Sequence, residues 1–153
     1  MGWTNSHLHQ FRINGERHGD PDLLDDSYRD VECVDSTQAM LSDIVPRDGK
    51  RFAFKYEYDF GDGWEHEVLF EGYPVREKRK RYPLCLEGER ACPPEDVGGI
   101  WGYENFLAAI TNPEHEEHES FIEWWGSSSF PDAFDPKIAT REMREGLLDW
   151  QLM

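Results

Sequence analysis

Phe52-Ala53-Phe54-Lys55-Tyr56-Glu57-Tyr58-Asp59-Phe60-Gly61-Asp62-Gly63-Trp64-Glu65-His66-Glu67-Val68-Leu69-Phe70 is the stretch that decides the fold. Phe52, Phe54, Tyr56, Tyr58 and Phe60 recur at period two, and Trp64, His66, Val68 and Phe70 do so again after a Gly-rich break. Two such runs across a turn predict a β-hairpin. A two-residue Asp62-Gly63 loop would set Tyr56 against Leu69 and throw the two apolar rows onto opposite faces. A three-residue Gly61-Asp62-Gly63 loop sets Phe60 against Trp64, Tyr58 against His66, Tyr56 against Val68 and Phe54 against Phe70. Both rows then share one face, as a half-buried sheet requires. The second register is the expected one, with Gly63 in the left-handed position of the turn.

Before the hairpin, His7, His9, Phe11 and Ile13 alternate along a strand that ends at the Asn14-Gly15 turn. Residues 16 to 30, with Asp20, Asp22, Asp25, Asp26 and Asp30, read as an acidic loop. Asp35-Ser36-Thr37 reads as the cap of a short helix that runs to Val45 and is closed by Pro46 and Gly49. After the hairpin, Arg76 to Arg81 form a basic island and Pro83 to Gly99 a Pro/Gly/Cys-rich loop without periodicity. From Gly102 the pattern is helical, with Tyr103, Phe106, Leu107 and Ile110 on one stripe. Asn112-Pro113 breaks it. A second helix is expected over 114–125, a loop over 126–129, and a last helix opened by Asp135-Pro136 and running toward Leu147, Leu148 and Trp150.

The 153 residues fit one domain, 1–153, and the expected class is α+β. A mostly antiparallel sheet is centred on the aromatic hairpin, with the C-terminal helices packed on its aromatic face. Aromatic residues make up 14% of the chain, enough apolar area to drive folding despite a charged fraction of 31%. The net charge of −16 repels phosphate backbones, which makes nucleic acid a poor partner and basic proteins or small cationic ligands better ones. Three cysteines make no disulfide framework, no leader is expected, and no apolar run approaches the ~20 residues of a membrane span. The expected compartment is a reducing cytoplasm.

Tyr58-Asp59-Phe60-Gly61-Asp62 with Trp64 and His66 resembles the signature of the plasmid pRiA-type ORF-three-like family. So do Tyr82-Pro83-Leu84-Cys85, Gly88, Ala91-Cys92-Pro93-Pro94-Glu95-Asp96, Gly98-Gly99 and Gly102-Tyr103. Gly2-Trp3, His7-Leu8-His9, Phe11 and Phe134-Asp135 fit it too. The resemblance covers nearly the whole chain and implies an α+β domain of bacterial and plasmid genomes. It brings no reaction with it. Members usually carry a further strand pair and a helix ahead of the Gly-Trp segment, which this chain is expected to lack. Where the family often shows a Cys after the Glu-Asp pair, this chain has Val97.

Several groups of residues bear on function. His7, His9, His66, Cys85 and Cys92, with Asp59 and Asp62, are the candidate metal ligands, since imidazole and thiolate suit zinc. The spacing of Cys85 and Cys92 is not that of a zinc knuckle, and the same residues also read as packing positions. Asp59 and Asp62 flank a turn and read either as a carboxylate pair or as turn chemistry. Glu95 and Asp96 either meet a ligand or, with Asp96 as cap, begin a helix. His115 and His118 share a helical face but lack the His-Glu-x-x-His order of a metalloprotease, and Ser127 to Ser129 have no base nearby in pattern. Asp59, Trp64 and His66 on the hairpin, and Cys85, Glu95 and Asp96 on the long loop, are the residues least explained by packing; the expected ligand contacts are Asp59, Trp64, His66, Glu95, Asp96 and Tyr103. Together they offer an aromatic wall with carboxylates, suited to a cation. The expected function is a non-enzymatic binding module; the alternatives are a zinc-binding domain or metal-dependent enzyme, and then a DNA-binding protein.

Overall fold

The structure, a computed structural model, describes residues 2–24, 32–126 and 131–146. It resolves into two compact units: a sheet unit, His7–Arg76, and a loop–helix unit made of the first six residues with Glu77–Met153.

The sheet unit contains β1 (His9–Ile13), β2 (Glu16–Gly19), α1 (Pro21–Leu24), β3 (Cys33–Asp35), α2 (Leu41–Ile44), β4 (Phe52–Tyr58) and β5 (Trp64–Phe70). The strands form one sheet in the order β3-β2-β1-β4-β5. Every ladder is antiparallel except that between β2 and β3. Cross-strand partners share a face, so the pairs Phe11↔His18, Phe11↔Tyr56 and Tyr56↔His66 put the aromatic residues on one side. Their rings follow one another across the strands, Phe11 to Tyr56 at 4.8 Å and Tyr56 to His66 at 5.4 Å. Tyr58 is 1% exposed. The opposite face carries charge, with Lys55 Nζ 3.6 Å from Glu65 Oε2.

The hairpin register differs from the expected one. Tyr58 faces Trp64, Tyr56 faces His66 and Phe54 faces Val68, so residues 59–63 form the loop and Phe60 lies outside the ladder. The cause is Asp59. Its φ of 54° turns the chain out of the strand. Its carboxylate accepts from the N–H groups of Gly61 (3.0 Å) and Asp62 (3.3 Å), and its carbonyl accepts from Gly63 N–H (2.6 Å). The displacement is two residues, one full pleat period, so the aromatic row still shares a face. Gly63 is left-handed as expected, with φ 67°.

Three other expectations are corrected in this unit. His7 precedes β1 instead of belonging to it. The segment read as an acidic loop begins with β2 and α1. Asn14 (φ 52°) and Gly15 (φ 88°) are both left-handed, which reverses the chain tightly into β2. Gly19 then lets α1 close in: a Cβ there would lie 2.3 Å from Leu24 Cδ1. Asp25, Asp26 and Asp30 lie outside the described residues. Asp35 ends β3 and accepts from Thr37 N–H (2.8 Å) and Oγ1–H (2.7 Å), making a turn. The single-turn α2 starts after Met40 with no side-chain cap.

The loop–helix unit contains α3 (Gly99–Thr111), α4 (His118–Trp125) and α5 (Pro136–Glu145). Phe106, 1% exposed, is its centre. The rings of Tyr103, Phe121, Trp124 and Trp125 surround it at 6.1, 5.6, 6.1 and 5.4 Å. The stripe read from sequence is therefore the buried side of α3. The helix begins three residues earlier than read, with Gly98 at its start (φ 93°), so Asp96 is not its cap. Gly102 is required by space, since a Cβ there would stand 1.9 Å from the Val97 carbonyl oxygen.

Helix α4 begins at His118, and turns occupy 113–117. His115 Nδ1 accepts from Glu117 N–H at 3.2 Å, while His118 Nδ1 lies 2.8 Å from the Ala109 carbonyl, so the two do not share a helical face. Helix α5 starts as expected, with Asp135 accepting from Lys137 N–H at 2.7 Å and Pro136 in the first turn. Ser127 to Ser129, Leu147, Leu148 and Trp150 lie outside the described residues. No helix or strand occurs over 71–98. Among the described residues, no helix is long and apolar enough to cross a membrane.

Candidate functional site

The expected site residues fall in both units. In the sheet unit, Asp59 N–H donates to the Leu8 carbonyl at 2.9 Å and draws the segment before β1 to the end of β4. That contact brings His7 Nε2 to 3.7 Å from the buried Asp59 carboxylate, and His7 N–H to 3.3 Å from the Tyr58 hydroxyl. Sequence reasoning named His7 and Asp59 among the candidate metal ligands but did not pair them with each other. The signal was the antiparallel pairing of His9 with Tyr58, which places residues 7 and 8 beside the turn.

His66 Nδ1 lies 3.2 Å from the Tyr56 carbonyl. A carbonyl accepts only, so Nδ1 carries the proton in the neutral ring. His9 packs against Phe11 and Tyr56, with Nε2 3.4 Å from Ser36 Oγ. Burial pushes its imidazole below the usual histidine range, against an opposing pull from Asp20. Trp64 opens β5, half-buried, opposite Tyr58.

In the loop–helix unit, the long loop is held at single points. Trp3 Nε1–H donates to the Pro93 carbonyl at 2.9 Å. Glu95 accepts from Thr4 N–H at 2.7 Å and from its hydroxyl at 3.0 Å. Asp96 is exposed with a left-handed backbone, φ 57°. Tyr103 stacks on Phe106, and burial pushes its phenol up. Cys92 is half-buried, and that burial raises its thiol in spite of backbone N–H bonds from Gly2 and Trp3. Cys85 N–H donates to Thr140 Oγ1 at 2.9 Å, and its Sγ lies 3.5 Å from the Glu87 carbonyl. Among the described residues, no group of three or more metal-capable side chains close to one another includes His9, His66, Cys85 or Cys92. Outside all these candidates, Trp101 is 82% exposed and Ile100 60% exposed on the first turn of α3.

Among the described residues, a five-stranded mixed sheet with one aromatic face, and three helices in the loop–helix unit, define an α+β protein. The chain belongs to the family of Plasmid pRiA4b ORF-3-like proteins, whose family model matches residues 1–142. It is 43% identical over 134 residues to the Uncharacterized protein y4hQ of Sinorhizobium fredii (strain NBRC 101917 / NGR234), covering 87% of this chain and 66% of that protein. It also resembles the crystal structure of the Protein of Unknown Function MM3350 from Methanosarcina mazei Go1. That match has a TM-score of 0.73 and 36% identity, over 90% of this chain and 75% of the other.

Proposed function

We propose that this chain is a non-enzymatic binding module whose partner is a protein presenting a basic segment. The observation that carries the reading is the exposed pair Ile100 and Trp101. Tryptophan is highly buried on average, and a rigid apolar anchor left in water by folding is the usual centre of an interface. The net charge of −16 favours a basic partner and disfavours nucleic acid. Three free cysteines accord with a reducing cytoplasm as the proposed compartment. Asp59, Trp64 and His66 in the sheet unit, and Glu95, Asp96 and Tyr103 in the loop–helix unit, are proposed as further contact residues.

The test is the double variant Ile100→Ser with Trp101→Ala. Its unfolding free energy should stay within about 0.5 kcal/mol of the native chain's, as expected for surface positions. The native chain should show a size shift on complex formation in a host extract, and the double variant should not. No complex with the native chain, or an unchanged complex with the variant, overturns the reading. The His7–Asp59 couple supports a second reading, a metal site. Stoichiometric zinc in untagged protein, lost on His7→Ala or Asp59→Ala, would put that reading first.

A further inference from the structure

We infer that the loop–helix unit carries a site for an aliphatic ammonium group, separate from the Ile100–Trp101 surface. Leu86, Glu87, Gly88, Glu89, Phe134 and Pro136 line an open cleft of about 640 Å³, within the size range of small-molecule sites. The cleft is prebuilt by anchors on both sides of its lining loop. Cys85 N–H donates to Thr140 Oγ1 at 2.9 Å, and Ala91 N–H donates to the Pro131 carbonyl at 2.7 Å. Between these two bonds, residues 86–89 are held against the start of α5.

Phe134 is fixed by Gly88. A Cβ at position 88 would meet the ring atoms Cζ, Cε1 and Cε2 at 2.3, 2.6 and 2.8 Å, so only glycine lets the ring lie on the backbone. The ring is 38% exposed. Beside it stand Glu87 and Glu89, neither of which has an ion-pair partner among the described residues. The adjacent cation, Arg90, has a left-handed backbone (φ 64°) and its Nε sits 4.0 Å from Asp132 instead.

Two carboxylates without ion-pair partners among the described residues, beside a seated aromatic ring and an exposed leucine, make a specific chemical demand. Carboxylates attract any cation. A π face adds attraction for an ammonium, and Leu86 adds apolar area for the methylenes attached to it. A hard metal ion would gain nothing from Phe134 or Leu86, because it requires a shell of oxygen ligands. The ammonium can come from a free polyamine or from a lysine side chain of a peptide, and the probes separate these sources.

Calorimetric titration at about 0.15 M salt, where the general attraction of an acidic chain is screened, would use spermidine, an end-blocked trilysine peptide and magnesium. The expected result is that spermidine or the peptide binds the native chain at least tenfold more tightly than it binds the Glu87→Gln, Glu89→Gln double variant. Phe134→Leu should weaken the same ligand several-fold and leave magnesium unchanged. Preference for spermidine identifies a free polyamine, and preference for the peptide identifies a lysine side chain. Equal binding to the native chain and the Gln double variant overturns the inference, as does an equal loss of magnesium on Phe134→Leu. If Phe134→Leu fails to fold, the Gln double variant decides, because it preserves shape and removes only charge.

Discussion

The sheet unit and the loop–helix unit use their aromatic residues in opposite ways. In the sheet, rings are distributed along a face, as Phe11 touches His9, Phe54 and Tyr56. In the helices they converge, and Phe106 is in contact with four rings. The backbone follows the same division. Cross-strand ladders tie the sheet together residue by residue, whereas the segment 77–98 is held by isolated bonds such as Trp3 to Pro93 and Cys85 to Thr140. A distributed structure should share the cost of a lost side chain, and a convergent one should not.

Phe106→Ala is the strongest way to break that comparison. The site is fully buried, so the change should cost about 3–5 kcal/mol in denaturant unfolding. Phe11→Ala, at a half-buried position with rings on either side, should cost clearly less. Equal losses would end the distinction. The same melts test whether residues 1–153 fold as one domain, as proposed from the sequence: fluorescence and far-ultraviolet dichroism should then report one shared transition. Two separate transitions would assign folding independence to the two units.

The glycines sharpen it further. Gly102→Ala forces a methyl into the Val97 carbonyl and should cost about 1–3 kcal/mol, as overpacking does. Gly63→Ala meets no atom within 4 Å and pays only for its left-handed backbone, about 1 kcal/mol. Asp59→Ala should cost about 1 kcal/mol by removing the acceptor for Gly61 and Asp62. Asp59→Asn should recover most of that, because Asn tolerates the left-handed region and keeps an acceptor oxygen. An Asn variant as unstable as the Ala variant would mean that charge toward His7, not turn geometry, is what the carboxylate supplies.

What could be read from the sequence follows the same division. Period-two alternation in Phe52 to Phe70 announces a hairpin and its buried face, and the period-3.6 stripe from Tyr103 to Ile110 announces α3 with its inner side. Both are repeating signals, so an error of one residue is visible. The register error escaped because a slip of two residues leaves the alternation intact; only the left-handed Asp59 decides it, and one residue makes no pattern. β2 escaped because Glu16-Arg17-His18-Gly19 is short and polar. The His7–Asp59 contact and the Glu87–Glu89–Phe134 cleft escaped because each joins positions far apart in sequence through single contacts. Asp96 misled because an acidic residue before a Gly pair looks like a cap, while the left-handed Gly98 takes that place.

The smallest expected effect lies at His9, and it asks whether the distributed sheet still feels one charge. Its imidazole sits between Phe11 and Tyr56, and burial depresses its proton affinity below the usual value of 6.5 while Asp20 partly restores it. Above about pH 7.5 the ring is neutral in both folded and unfolded chains and contributes almost no slope. As pH falls through 6.5 the unfolded chain takes up the proton first, so stability should decline until the folded ring titrates as well, and then level off. The carboxylates add their own slopes at lower pH, which makes the difference between the native chain and His9→Gln the quantity to measure. That difference should fall between pH 7.5 and 5 and be flat above. Asp20→Asn removes the opposing pull and should steepen the decline. Profiles of native and His9→Gln chains that run parallel through pH 6 would show that the aromatic face is wet enough at His9 to hydrate its charge.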